Sequence, residues 1–177
     1  ILKELFELFP DCSFYERSDT RARQKEGLEE RCGVIRGEEP PDVIYVLEGG
    51  QVKIPVESPH GHKTGAYLDQ RAALIYCSSL CKGRSVLNCF SYTGGFGLWA
   101  LKGGARSVVN VDVSGPALDA ARQGVVENRL DPGRCKFIRA DVFDFLRKQV
   151  KEGAKYDVVI LDPPKFAESA GSLKRAC

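Results

Sequence analysis

The 177-residue chain has no methionine, a single tryptophan and two histidines. His60 and His62 sit in one Pro/Gly-containing stretch, and none of the seven cysteines forms a CxxC pair, so the spacing of a zinc site is missing. Cys77 and Cys81, four apart, share a helix face, either as buried thiols or as a metal or redox pair. An odd cysteine count speaks for a reducing, cytosol-like compartment, and the expected location is cytoplasmic. No apolar run approaches the ~20 residues of a membrane helix, so no membrane partner is expected. Strong charge of either sign is also missing: a formal net charge of +2 permits a nucleic-acid partner without arguing for one. Lacking a methionine, the chain reads as a fragment whose targeting signals are unobservable.

What is present is ordinary for a globular protein, with 43% hydrophobic and 28% charged residues. Ile1 to Phe9 carries the apolar spacing of a helix that Pro10 closes, and Phe14-Tyr15 reads as a short strand. Arg17 to Glu30 is dense in charge and reads as a loop or helix, either a solvated face or a nucleic-acid contact. Val43–Leu47 and Gln51–Val56 flank Glu48-Gly49-Gly50 as a β-hairpin. These segments predict a small, β-rich module over residues 1–62, with a linker around Ser58–His62. A second domain is expected over 63–177.

That second domain is built around Ser85–Gly97. Val86, Leu87, Cys89 and Phe90 predict a buried strand, Ser91–Gly95 a turn, and Phe96–Leu101 the start of a helix. Leu68–Leu80 precedes it as a helix. Further strands are expected at Ser107–Asp112, Cys135–Arg139 and Tyr156–Leu161, with helices from Pro116 to about Asn128, capped by Ser114, and near Val142–Lys151. Such alternation predicts a parallel α/β sheet of Rossmann-like type.

Asp112, Asp141 and Asp162 each stand at or just past a strand's carboxyl end, the edge at which open α/β sheets bind ligands. Asp112 occupies the position that bonds ribose hydroxyls, and Asp141 could accept from an adenine amino group. The turn lacks the GxGxxG form, which argues against a pyrophosphate and for a phosphate-free nucleoside bearing an amino-acid moiety. Gly94 and Gly95 read as glycines that let a ligand approach the backbone. In Asp162-Pro163-Pro164-Lys165-Phe166 the prolines end the strand and stiffen the cleft mouth, leaving Lys165 to meet a phosphate and Phe166 to stack on a base or fill the core.

Phe90–Phe96, Val111–Ser114, Asp141-Val142-Phe143 and Asp162–Phe166 together resemble class I S-adenosylmethionine-dependent methyltransferases. With Thr64–Arg71, Arg17-Ser18-Asp19 and Glu26-Gly27-Leu28 the chain is similar to the bacterial large-subunit rRNA methyltransferase I family, which makes 5-methylcytosine in 23S rRNA. The resemblance implies an α/β fold truncated after its fourth strand, an S-adenosyl-L-methionine cofactor, an RNA partner, and an RNA-binding PUA domain ahead of Ile1. It implies that Phe90, Ser91, Tyr92, Thr93, Gly94 and Gly95 contact the methionine part, that Asp112 binds the ribose and that Asp141 lies beside the adenine. Asp162 would face the sulfonium and the target base, with Lys165 as a second catalytic residue and Pro163, Pro164, Lys165 and Phe166 lining the base pocket; Gln70 and Arg71 would help close the cofactor site. Cytosine C5 chemistry needs a cysteine thiolate. Lys165 stands in the slot after Pro164 where many related RNA enzymes carry cysteine, so the nucleophile is expected beyond Cys177. Methylation of a guanine or adenine nitrogen, which needs no cysteine, and a non-catalytic cofactor-binding module are the alternatives.

Overall fold

The computed structural model describes residues 1–18, 23, 26–57 and 67–164. Expectations for Asp19, for Lys165 and Phe166, for Thr64–Ala66 and for the histidine-bearing linker fall outside them. The chain divides into two compact units, one holding the residues up to Ile44, the other holding Tyr45–Val56 and the chain from Tyr67 on.

The first unit contains α1 (Leu2–Leu8), β1 (Phe14–Ser18) and β2 (Arg31–Arg36), with β1 and β2 antiparallel. β1 is longer than the expected Phe14-Tyr15, and β2 was not foreseen, because Gly33 interrupts its alternation and only Gly33 and Arg36 escape full exposure. Arg36 closes this unit. Its guanidinium donates to the carbonyls of Phe9 (2.8 Å) and Cys12 (3.1 Å), which lie past the end of α1, and rests over the rings of Phe6 and Phe14, 4.7 and 4.9 Å from their centroids. It donates also to the Phe6 carbonyl in the last turn of α1, at 3.4 Å, so a cation meets the carbonyl end of the helix, which is favourable for the helix dipole.

The expected hairpin is present as β3 (Val43–Glu48) and β4 (Val52–Glu57). Sequence analysis assigns it to the small module, yet Val52 and Ile54 of β4 belong to one core cluster with Leu74, Leu98 and Trp99 of the second unit. Burial explains this: Val52, Ile54, Pro55 and Val56 of β4 are all buried, and Val52 and Ile54 find their cover in that cluster.

A 3-10 turn (Leu68–Gln70) leads into α2 (Arg71–Ser79). Then follow β5 (Ser85–Cys89), α3 (Gly95–Lys102), β6 (Ser107–Asp112), α4 (Gly115–Glu127), β7 (Cys135–Arg139), α5 (Val142–Lys151) and β8 (Val158–Leu161). The four strands form one parallel sheet in the order β7-β6-β5-β8. The central strands β5 and β6 are covered on both faces, which is why they read as apolar runs interrupted only by Asn88 and Asn110. Val86, Val108 and Ile160 pack in one cluster with Leu74, Leu98, Trp99 and Val125 of α2, α3 and α4; Leu87, Cys89 and Val111 pack on the other face with Val142 and Phe145 of α5.

Local signals set the helix ends. The Ser114 hydroxyl accepts the Ala117 N–H at 3.3 Å with Pro116 in the first turn of α4, and Asp141 accepts the Asp144 N–H at 3.0 Å at the start of α5. Inside the sheet, the Asn88 amide donates to Asn110 at 2.8 Å, and Asn110 donates to the Cys135 sulfur at 3.2 Å. This buried polar line crosses β5, β6 and β7 and works only in one register, because a slip would strand each amide among apolar groups. At the opposite end of the sheet from the strand tips, Asp157 accepts the backbone N–H and the hydroxyl of Ser85, both at 2.8 Å, and these donors hold its carboxyl below the usual range.

Candidate functional site

Parallel strands bring their carboxyl ends to one edge, so the segments following β5, β6, β7 and β8 share a rim. Phe90–Gly95, Asp112, Asp141 and Asp162 are those segments. The rim is stitched by hydrogen bonds between neighbours. Ser91 N–H donates to the Val111 carbonyl at 3.0 Å, and Ala140 N–H donates to the Asp112 carbonyl at 3.0 Å, which holds the chain just past β7, and with it Asp141, beside the end of β6. The Asp112 carboxylate joins turn to strand: Oδ2 accepts from Tyr92 N–H at 2.8 Å and Oδ1 from Ser114 N–H at 2.9 Å. A carboxylate offers about four lone-pair sites, so two remain for a ligand.

The turn between β5 and α3 is sharply bent. Phe90, Tyr92 and Gly94 all have positive φ (55°, 48° and 79°). Such conformations cost of order 1–3 kcal/mol each in non-glycine residues, and they cluster where a loop is held for a purpose. Sequence analysis reads Gly94 as room for a ligand, but its missing Cβ faces the protein: a methyl there would lie 2.8 Å from the Cβ of Ala121 on α4. Glycine at 94 is therefore required by backbone conformation and by the close approach of α4.

Exposure sorts the predicted residues. Ser91, Thr93 and Gly94 are buried, while Phe90, Tyr92 and Gly95 are partly open. The Ser91 hydroxyl oxygen is buried with no hydrogen-bond partner among the described residues, an unmet polar group beneath the turn. Phe90 meets Phe143 of α5 edge to face at 5.9 Å. Phe143 and Val113, which follows Asp112, are 46% and 60% exposed, so the rim displays two apolar side chains between its carboxylates. Both stand in the segments that carry the family resemblance, Val111–Ser114 and Asp141-Val142-Phe143, but neither is assigned a role there. For Val113 the available signal is an apolar residue next to a strand-ending aspartate. Pro163 and Pro164 are exposed beyond β8.

Gln70 and Arg71 part company. The Gln70 amide donates to Asp162 Oδ2 at 2.6 Å, which places it on the rim. Arg71 turns to the hairpin and forms an ion pair with Glu48. Cys89, the last residue of β5, lies fully buried below the turn, and burial pushes its thiol up to about 11. It stays protonated at neutral pH. Among the described residues no cluster of histidine, cysteine and carboxylate side chains is arranged to hold a metal ion, and no helix is long and apolar enough to cross a membrane.

The polar inventory of the rim suits one class of ligand. Carboxylate acceptors match hydroxyl and amino donors, apolar walls match a base, and the first N–H groups of α3 with the orphan Ser91 hydroxyl match an amino-acid carboxylate. A phosphate beside Asp112 and Asp141 would meet like charge. S-adenosylmethionine has the matching groups and carries no phosphate.

The comparisons agree with that chemistry. Residues 22–176 match the family model described as S-adenosylmethionine-dependent methyltransferase. The chain is 54% identical, over its whole length, to a protein of Aliivibrio fischeri named ribosomal RNA large subunit methyltransferase I, and it spans 44% of that relative's length. Among solved structures it is similar to the methyltransferase SMU.776, solved in complex with SAH, with a TM-score of 0.79 and 29% identity, covering 95% of this chain and 42% of that one. It is similar also to a methyltransferase from Streptococcus mutans with a TM-score of 0.79 and 27% identity, covering 99% of this chain and 46% of that one. The matched model covers most of the chain and the sheet edge carries the groups its cofactor needs: the chain belongs to the S-adenosylmethionine-dependent methyltransferase family.

Proposed function

We propose that the protein transfers a methyl group from S-adenosylmethionine to C5 of a cytosine in large-subunit rRNA, that is, 23S rRNA in bacteria. The observation that carries the reading is the Asp112 carboxylate, which ties the bent turn after β5 to the tip of β6 and keeps lone pairs free at the rim. The name of the Aliivibrio fischeri relative supports the rRNA substrate.

In this reading the partly open backbone of Phe90, Tyr92 and Gly95 receives the methionine part, with Ser91, Thr93 and Gly94 shaping the turn from below. Asp112 accepts from the ribose hydroxyls. Asp141 accepts from the adenine amino group, between Val113 and Phe143 as apolar walls. When bound, the cofactor supplies an electrophilic methyl group on a positively charged sulfonium. Asp162 stabilises that charge and faces the target base, which must leave its stack to reach the pocket. Pro163 and Pro164, and beyond them Lys165 and Phe166, line the base side.

C5 of cytosine becomes nucleophilic only when a thiolate adds at C6. Cys89 is excluded from that task by its burial and its raised pKa. We assign the nucleophile to a cysteine outside the described residues. The catalytic domain in this proposal is formed by the chain from residue 63 onward together with Tyr45–Val56, while the chain up to Ile44 serves as a separate β-rich module. The reaction belongs in a reducing cytoplasm.

Two measurements test the proposal. Calorimetry should register S-adenosylhomocysteine binding to the chain. Incubation of the full-length protein with unmethylated 23S rRNA and labelled cofactor should yield 5-methylcytosine by mass spectrometry of digested nucleosides. A methylated purine in its place would overturn the C5 assignment, and failure to bind the nucleoside would overturn the site.

A further inference from the structure

Gln70 occupies the cap position of α2, yet it does not cap the helix. Its amide instead spans 92 residues of sequence to reach Asp162 Oδ2 at 2.6 Å. The next residue, Arg71, pairs with Glu48 at the end of β3, whose side chain is only 5% exposed. The Glu48 Oε1 is buried and, among the described residues, receives no well-aligned hydrogen bond, so charge attraction is what holds Arg71 there. Leu74 and Ser78 of α2 are buried one and two turns on, which keeps the rest of the helix seated.

A buried carboxylate is a poor way to gain stability. Desolvation takes back much of what the ion pair returns, and an apolar residue of similar size does as well or better. What an ion pair gives is a fixed position. Here it pins the first residue of α2, and the adjacent side chain orients a rim carboxylate.

We propose that Glu48 and Gln70 are positioning residues for Asp162: Glu48 anchors Arg71, this sets Gln70, and Gln70 holds the Asp162 carboxylate in the orientation that meets a positive sulfonium. This inference rests on the assignment of Asp162 to the sulfonium in the preceding section. Neither Glu48 nor Gln70 need touch the cofactor for the effect.

The readout is the preference for the charged ligand over the neutral one. S-adenosylmethionine carries the sulfonium; S-adenosylhomocysteine, otherwise the same, carries a neutral thioether. Binding of both to the full-length protein is measured by equilibrium dialysis for the wild type, Gln70→Ala and Glu48→Gln. Each variant is expected to lose about tenfold in affinity for S-adenosylmethionine, the scale of one charged hydrogen bond, with a smaller loss for S-adenosylhomocysteine. The double variant should be no weaker than the weaker single one, because both act along one chain of contacts. Gln70 is only partly buried, so Gln70→Ala keeps the test open if Glu48→Gln fails to fold. Equal losses for both ligands, no loss for either, or additive losses in the double variant would overturn the proposal. A wild type that binds neither ligand would overturn the cofactor site itself, which is a different result.

Discussion

Asp112 accepts two backbone N–H groups at once, from Tyr92 at 2.8 Å and from Ser114 at 2.9 Å. Its carboxylate is thus part of the scaffold at the rim, and in the proposed function it is also the acceptor for the ribose. Asp112→Ala should weaken S-adenosylhomocysteine binding by about 1.5–3 kcal/mol, roughly ten- to a hundredfold, through loss of a charged acceptor. It should lower the melting temperature as well, because two donors lose their partner. Asp112→Asn keeps a neutral acceptor and should fall between the two. A dissociation constant unchanged in Asp112→Ala, read by calorimetry, would reduce the residue to its turn role.

Gly94 combines φ of +79° with a Cβ position 2.8 Å from the Cβ of Ala121. Gly94→Ala should therefore destabilise the fold by about 1–3 kcal/mol, from backbone strain and overpacking together. Adding Ala121→Gly relieves the collision but not the strain, so denaturant midpoints should recover only in part. Full recovery would mean that the left-handed conformation costs nothing here.

The amide line through the sheet gives a third expectation. Asn110→Ala removes the acceptor for Asn88 and should cost about 1–3 kcal/mol by urea denaturation, the price of an unmet buried polar group. Leucine at the same position should do no better, since Asn88 would still lack a partner. An unchanged midpoint in either variant would show that Asn88 finds another partner.

The thiols should separate by location. Cys12 and Cys32 are exposed and should react with a thiol reagent at pH 8 without unfolding, whereas Cys89, fully buried, and Cys135 should react only on opening. Burial pushes Cys89 up to about 11 and Cys135 up to about 12 from an ordinary 9.0. A raised folded-state pKa favours folding while the thiol is protonated. Between pH 9 and about 11–12 the unfolded chain releases these protons and the folded chain retains them, so stability should fall across that window. A stability that holds flat to pH 11 would contradict the burial of Cys89.

Much of this architecture could be read from residues alone, for identifiable reasons. β5 to β8 announce themselves because each is a short run built around apolar residues, and Ser114 and Asp141 announce their helices because caps act on neighbours in sequence. Three aspartates at strand ends are visible for the same local reason. β2 was hidden by an unfavourable glycine and an exposed surface. β4's membership of the larger core depends on contacts with Leu74 and Trp99, which no local pattern encodes. The Gln70–Asp162 bond is of that kind too: nothing in either neighbourhood points to the other. The purpose of Gly94 was legible as a requirement for glycine but not as a debt to Ala121, which lies on a different helix.

The position of β8 beside β5 has a consequence for how the protein comes into being. Its partner strand leaves the ribosome some 72 residues earlier, as the Ser85–Asp157 pair measures, so β5, β6 and β7 can associate while the chain is still growing, but the part of the rim bearing Asp162 cannot join them until β8 has emerged. The rim thus assembles in two stages, the part bearing Asp112 and Asp141 first and the part bearing Asp162 last.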